Sequence, residues 1–557
     1  LSERQHLPWK PSKPELEIDQ VRDVVQPSLN SIDWGVIVFY AIIVAAIALH
    51  QSRKVKNQDD IFLAGRSMSR WPVAISMYMA LFSTNTFIAT VGWVNRPTGT
   101  IWILLIIVGM MLAVPLAVFL FPALFFRLRI STAYEYLEKR FSYPVRGFAA
   151  TFFMAARIMW MSTMLYAASL VISNMLGWTA QRGFEYGPVW SILLLGSLGV
   201  VFAMSGGMRA VIWTDVVQFF VMMTGVVTMI SLVLIETGGP GQVITIAARA
   251  GRFRLPEFFS LTDDLSVVSV LLFAFVGLIA NAGVDQVYLQ TYLTGKNERE
   301  VKASIWRNGF VMKPFGILFS LLGLLTFVYF QTHPEVSRLL TIPDDALPIF
   351  VTAVLPSGIR GLMIAALMSA LLTSLEGGMA ALSATLQIDF IRRWEKRSRS
   401  PRSAVLLGRI LICAWGVVVM LGALAVRMLG EKNNIIQILN IVMYPFVGVL
   451  LGIFLLAILS HRANSGGTII GAAAGFIATV SFPLSKTVLR MLLDHGLTFP
   501  PGLIEKVDYL ASISNFFYIN LGLVMTFVVG YAASWLFAPP HPSQIIGLTR
   551  RSMPKPV

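Results

Sequence analysis

Apolar residues recur along this chain in runs long enough to cross a bilayer, each closed by a short block of charge, glycine or proline. A stretch of about 20 apolar residues spans the roughly 30 Å hydrocarbon core as a helix, and only helices and closed barrels satisfy their backbone groups there. These runs are too long and too continuous for barrel strands, which alternate in short segments. The pattern predicts an all-α polytopic membrane protein with thirteen spanning helices, at 31–50, 71–94, 99–126, 147–177, 188–205, 208–236, 265–290, 307–331, 358–390, 403–428, 434–459, 466–489 and 511–538.

Composition agrees, with 56% hydrophobic and 13% charged residues in 557. The formal charge of +15 would suggest nucleic acid if it gathered on one face, but the basic residues sit in short blocks between apolar runs. One set of loops carries Arg53, Lys54, Lys56, Arg66 and Arg70, then Arg127, Arg129, Lys139, Arg140 and Arg146, then Arg209, and then Lys296, Arg299, Lys302 and Arg307. It continues with Arg392, Arg393, Lys396, Arg397, Arg399 and Arg402, then Arg462, and ends with Arg550, Arg551 and Lys555. The opposite short loops hold only Arg96, Arg182, Arg338 and Lys432. Because basic loops stay cytoplasmic, the bias predicts an inner (plasma) membrane protein with its N-terminus outside and its C-terminus in the cytoplasm.

The expected organisation is an extracytoplasmic lead over 1–30, a peripheral helix at 31–50, a first repeat at 71–236, an external loop at 237–264, a second repeat at 265–459, two peripheral helices at 466–538 and a cytoplasmic tail at 539–557. The lead, with Pro8, Pro11 and Pro14 among charges, reads as polar rather than as a signal peptide. The repeats are suggested by two polar stretches within spans, Phe82-Ser83-Thr84-Asn85-Thr86 and Asn281-Ala282-Gly283-Val284-Asp285, which start five helices apart. Two five-helix repeats of inverted topology, each opening with a broken helix, place such stretches at the midplane, where free carbonyls and amides bind ions and solute. Ordinary kinks with hydroxyls bonding back to the preceding turn would also accommodate them.

Five ionisable residues lie within or near the ends of spans: Arg157, Asp215, Lys313, Glu376 and Arg409. Intramembrane charge points to function by default, although Arg409 is near enough to an inner loop to snorkel. Lys313 lies near an inner end too, whereas Asp215, Glu376 and Arg157 are deeper. Ala370, Thr373 and Ser374 are spaced i, i+3, i+4 and so share one helix face. Two hydroxyls with backbone carbonyls from a facing broken helix make a neutral-oxygen cage that suits a hard monovalent cation. Thiolate and imidazole clusters for zinc or copper are missing from the sequence, and the lone Cys413 lies in an apolar run as filler. With no nucleophile elbow or phosphate loop either, the chain does not read as an enzyme.

At these residues the chain resembles the solute:sodium symporter family, which has the LeuT-like fold. The resemblance rests on Phe62-Leu63-Ala64-Gly65-Arg66-Ser67, on Gly206-Gly207 with Trp213-Thr214-Asp215-Val216-Val217-Gln218, on Asp285-Gln286 with Gln290, and on Phe454-Leu455-Leu456 with His461-Arg462-Ala463-Asn464. The branch it looks most like is the sodium/sialic acid symporters, whose inner loop Ser131-Thr132-Ala133-Tyr134-Glu135-Tyr136-Leu137-Glu138 closely matches.

The resemblance implies a main sodium site made by the carbonyls of Met79, Phe82 and Ala370 and the hydroxyls of Thr373 and Ser374, with Asp215 at a second cation site. It implies a solute cavity lined by Ser83 and Thr86, and places Asn440 where sugar transporters of the family keep a substrate glutamine. Three departures stand out. Glu376 and Gly377 replace two serines of the second site, so that site could bind a cation or a proton. Trp160 replaces a substrate arginine, although Arg157 lies one turn earlier on nearly the same face. Asn281 replaces a stacking tyrosine of the galactose transporters, which disfavours a bare hexose.

The expected function is sodium-coupled symport of a small polar organic solute by alternating access, with sialic acid or another organic anion or sugar derivative favoured. The alternatives are a proton-coupled symporter of the same fold and a transporter-like sensor or channel. The expected partners are the solute, Na+ and the lipid bilayer, with no nucleic acid and with the chain acting as a monomer.

Overall fold

The structure, a computed structural model, describes residues 29–82, 84–178, 185–263, 265–340, 342–395, 400–430, 435–495, 497 and 499–552. Ser83 and most of the N-terminal lead therefore lie outside the described residues, as does the side chain of Asn440. Among the described residues the fold is all-helical, without strands; two segments meet in an isolated backbone bridge between Met68 and Gly295.

Helix α1 (Ser31–Ser52) starts where the Asn30 side chain accepts from the amides of Ile32 and Asp33, at 3.1 and 3.0 Å. The first broken span is α2 (Arg70–Leu81) followed by α3 (Thr84–Asn95), with a bend of 59° after Phe82 turns extended. Helices α4 (Leu105–Leu120), α5 (Ala133–Arg140), α6 (Tyr143–Met175) and α7 (Gly187–Glu236) follow. The second broken span is α8 (Val267–Gly283) and α9 (Gln286–Tyr292), bent by 62°. Then come α10 (Gly316–Thr332), α11 (Ile359–Thr385), α12 (Pro401–Gly430), α13 (Ile435–Leu459), α14 (Ser465–Asp494) and α15 (Tyr518–Ala533).

Among the described residues the expected count of thirteen spans is not confirmed. By length and apolarity nine described helices can cross a membrane, or eleven with each bent pair taken as one span. The expected spans 188–205 and 208–236 are both helical and meet at a kink within α7, where the backbone of Gly207 is non-helical at φ 59°. A side chain there would meet the Ile61 backbone at 2.9 Å, so glycine lets the chain turn sharply against its neighbour. The expected span 434–459 is α13 (Ile435–Leu459), whose side chains are described from Pro445 onwards.

Burial identifies the centre of the bundle. The most apolar window of α11 is 94% buried, against 22% for α12, so α11 is enclosed by protein while α12 faces lipid. The N-terminal end of α11 is tied to α1 by Asp33, which pairs with Arg360 at 2.9 Å and accepts from the amides of Gly358 and Gly361. Towards its other end, Gly377 and Gly378 let α11 approach closely: added side-chain carbons would lie 3.0 Å from Val287 of α9 and 2.4 Å from Met161 of α6.

Candidate functional site

The break in each span interrupts the regular helical pairing of the last carbonyls of its first half, and the Met79 carbonyl accepts from the Phe82 amide at 3.1 Å instead. In the first, Met79 and Phe82 lie in the last turn and at the cap of α2, both buried, and α11 packs against α2 and α3. From α11, Thr373 and Ser374 face inward, fully buried, and both hydroxyls donate to the Ala370 carbonyl at 3.1 and 3.3 Å. The five residues of the expected main sodium site are thus placed on packed, neighbouring elements of the core.

One turn beyond Thr373, Glu376 enters a second polar cluster inside the bundle. Asp215 on α7 accepts from the Ser76 hydroxyl of α2, and its other oxygen has no hydrogen-bond partner among the described residues. Oε1 of Glu376 has none either, Thr214 stands beside it, and the two buried carboxylates repel one another. Tyr40 of α1 completes the cluster, donating no charge of its own and bonded to Ser369 of α11. Among the described residues Glu376 forms no ion pair with Arg157.

Arg157 instead meets the second broken helix, where its Nη1 lies 3.6 Å from Oδ2 of Asp285. Asp285 is the cap of α9, and its other oxygen accepts from the amides of Val287 and Tyr288 at 2.8 and 3.2 Å. The guanidinium also lies over the Trp160 ring, 4.4 Å from its centroid, while Nε and Nη2 find no hydrogen-bond partner among the described residues. Sequence reasoning marked Arg157 and Trp160 but not their partner, because Asp285 is brought to them only by the tertiary fold.

A cavity of about 510 Å³ lies between the broken helices and is lined by Thr86, Arg157, Trp160, Asn281 and Asp285. It therefore gathers every expected solute residue except Ser83 and Asn440, whose side chains are not described. It also gathers Lys313, whose ammonium lies 5.5 Å from the centroid of the Tyr78 ring. Lys313 follows a π-helical turn, Asn308–Met312, and Pro314 removes the next backbone donor, so the helix is irregular at this point and turns the lysine inward. Pro314 was the sequence signal that could have raised Lys313 above a residue near a helix end.

The segments leading into the first broken helix and out of the second are joined. Met68 and residues 294–296 exchange backbone hydrogen bonds of 3.0 and 3.3 Å, Gln290 donates to the Phe62 carbonyl at 2.7 Å, and Arg70 pairs with Glu300 at 2.8 Å. Helix α5 connects this closed face to the second break: Tyr134 donates to the Val284 carbonyl at 3.0 Å, and the Gln286 side chain bonds both Ser131 and Ala133 at 2.9 Å. At its other side Thr132 donates to Asp389 at 2.8 Å, and Arg146 bridges Asp389 and Glu138 at 2.6 and 2.7 Å. Burial works against the Glu138 carboxylate, but hydrogen bonds from Arg146 and Arg393 outweigh it and hold its pKa below the usual value.

Comparison with known proteins agrees with this geometry. The model of the sodium:solute symporter family matches residues 61–475. The sodium/sialic acid symporter SiaT of Proteus mirabilis (strain HI4320) is 26% identical over 515 residues, covering 91% of this chain and 96% of the relative. The human sodium/iodide cotransporter is 26% identical over 485 residues, covering 84% and 73%. Among solved structures, a substrate-bound, outward-open Na+-coupled sialic acid symporter superposes with a TM-score of 0.77 at 25% identity, over 92% of this chain and 99% of that one. Relatives of equal identity thus carry different solutes, and the cavity has to decide between them.

Proposed function

The chain belongs to the sodium:solute symporter family and is a sodium-coupled membrane symporter; on that premise we propose that it carries an organic anion inward by alternating access, with sialic acids among the favoured candidates. The observation that carries this reading is one cavity, set between two broken helices, that presents Arg157 and Lys313 against the single carboxylate of Asp285. In this reading sodium sits among the carbonyls of Met79, Phe82 and Ala370 and the hydroxyls of Thr373 and Ser374. It holds α2 and α3 against α11, the solute fills the cavity, and the joined segments then part. The chain lies in the plasma membrane with its N-terminus outside, and functions as a monomer.

The Asp215 and Glu376 cluster takes a second cation. Two ionised carboxylates buried side by side repel, and a cation between them relieves that repulsion while satisfying the oxygens that lack donors. The second ion has an energetic consequence. One sodium with a monoanion makes an electroneutral complex, on which the membrane potential does no work. A second sodium restores one net charge, worth about 2.3 kcal/mol at 100 mV.

The test is a melting-temperature screen of purified protein with N-acetylneuraminate and a set of organic acids, each in sodium and in potassium. Stabilisation by a bound ligand grows as RT ln(1 + [L]/Kd). An acid that stabilises only in sodium supports the reading, and a panel without any sodium-dependent ligand contradicts it.

A further inference from the structure

The cavity narrows the class of solute, an inference that rests on the organic-anion reading above. Its charges do not contribute equally. Arg157 is engaged with Asp285 and stacked on Trp160, so that pair is internally balanced. Among the described residues Lys313 forms no ion pair, and its ammonium lies over the face of the Tyr78 ring at the cavity wall. It is a cation held in a low-dielectric interior without a counter-charge, which makes an entering anion its natural partner.

Among the described residues the rest of the wall is mostly apolar. Phe82, Phe153, Trp160, Phe273 and Phe319 line it, with the Phe82 and Phe319 rings 4.5 Å apart and the Tyr78 ring stacked on Phe82 at 5.6 Å. The uncharged polar side chains among the described lining residues are Thr86, Thr90 and Asn281, besides the Tyr78 hydroxyl. A sugar acid with many hydroxyls would bury several of them against phenyl rings that can neither donate nor accept in their place, the indole N–H of Trp160 being the one donor among these rings. An acid with an apolar body has the opposite balance: one group to be recognised, and a surface whose transfer out of water is favourable.

We propose that the preferred solute is an amphipathic organic monoanion, its carboxylate received by the Lys313 ammonium and its apolar or aromatic body packed against the Phe82, Phe319 and Trp160 side of the cavity. The proposal separates this chain from sialic acid carriers by chemistry. It assigns selectivity for the acid group to Lys313 and leaves Arg157 as the residue that positions Asp285 at the break.

Proteoliposomes containing the full chain test this, with an inward sodium gradient and four solutes: phenylacetate, 4-methyl-2-oxopentanoate, N-acetylneuraminate and the neutral analogue phenylacetamide. The apolar acids should be accumulated at concentrations at least about tenfold lower than N-acetylneuraminate requires, with phenylacetamide not accumulated. Lys313→Met should raise the half-saturating concentration of phenylacetate at least about tenfold, and Lys313→Arg, which keeps the charge, should restore most of the loss. Sodium-dependent melting of each variant, measured without solute, reports that it is folded and retains its ion site. Accumulation of N-acetylneuraminate in preference to both apolar acids would overturn the proposal and leave sodium symport of an anion standing. The same holds if Lys313→Met keeps the selectivity of the parent. If no solute is accumulated in response to sodium, both readings fall.

Discussion

Removing one hydroxyl from α11 probes the main sodium site with little disturbance of the fold. In Thr373→Ala and Ser374→Ala the lost group donates only to the Ala370 carbonyl, at 3.1 or 3.3 Å, within the same helix. No buried partner is stranded, and the stability cost should stay near about 1 kcal/mol. Ion binding should suffer more, because a small cage of neutral oxygens then loses one of its few ligands. At roughly 1 to 2 kcal/mol per ligand the sodium concentration for half-maximal effect rises by roughly 5- to 30-fold. Melting temperature titrated with sodium chloride, with potassium chloride holding ionic strength constant, measures this directly, and uptake titrated the same way checks it in the membrane. Thr373→Ser keeps the hydroxyl and should stay near the parent. An unchanged sodium requirement in both alanine variants, at normal membrane levels, would refute the assignment of these side chains to the ion.

Three further outcomes follow from the geometry. Glu376→Gln removes one of the two repelling carboxylates, so the Hill coefficient for sodium should fall towards one and uptake should lose its dependence on membrane potential; retention of both would exclude a second cation there. Tyr134→Phe leaves the Val284 carbonyl without its 3.0 Å donor at the second break, and solute affinity should fall by roughly 5- to 30-fold while half-saturating sodium, read by melting without solute, stays within about twofold. Glu138 has a lowered pKa in the folded protein, so its contribution to stability is present above the ordinary value of 4.5 and is lost as pH falls through the lowered one. The melting temperatures of the parent and Glu138→Gln should accordingly differ at neutral pH and converge below about pH 4.5, and a constant difference across that range would count against the ion-pair network with Arg146 and Arg393.

The architecture was largely legible in the chain because a bilayer makes its demands locally. Polar residues inside apolar runs announced both breaks, and Phe82 and Asp285 are where the backbone leaves the helix. Ala370, Thr373 and Ser374 could be placed on one face from spacing alone. Tertiary pairings were not legible: that Arg157 would choose Asp285 over Glu376 depends on how α6, α9 and α11 pack, with Gly378 leaving room beside the guanidinium, 3.1 Å from where a side chain would begin. The boundary between the expected spans 188–205 and 208–236 was legible as Gly206-Gly207, because only glycine takes the non-helical backbone at φ 59° that kinks α7 there. Lys313 was undervalued because its distance from a loop was counted along a regular helix, whereas the π-helical turn and Pro314 re-aim it into the cavity.

The most direct measurement of the central claim is uptake of a radiolabelled organic acid into proteoliposomes as the sodium gradient alone is varied. The account predicts accumulation above the bath concentration with sodium high outside, a further rise when the interior is made negative, and collapse of the accumulated solute when gramicidin dissipates the sodium gradient. Entry that merely equilibrates the solute, at a rate indifferent to sodium, would contradict coupling and would make the cavity a passive pathway.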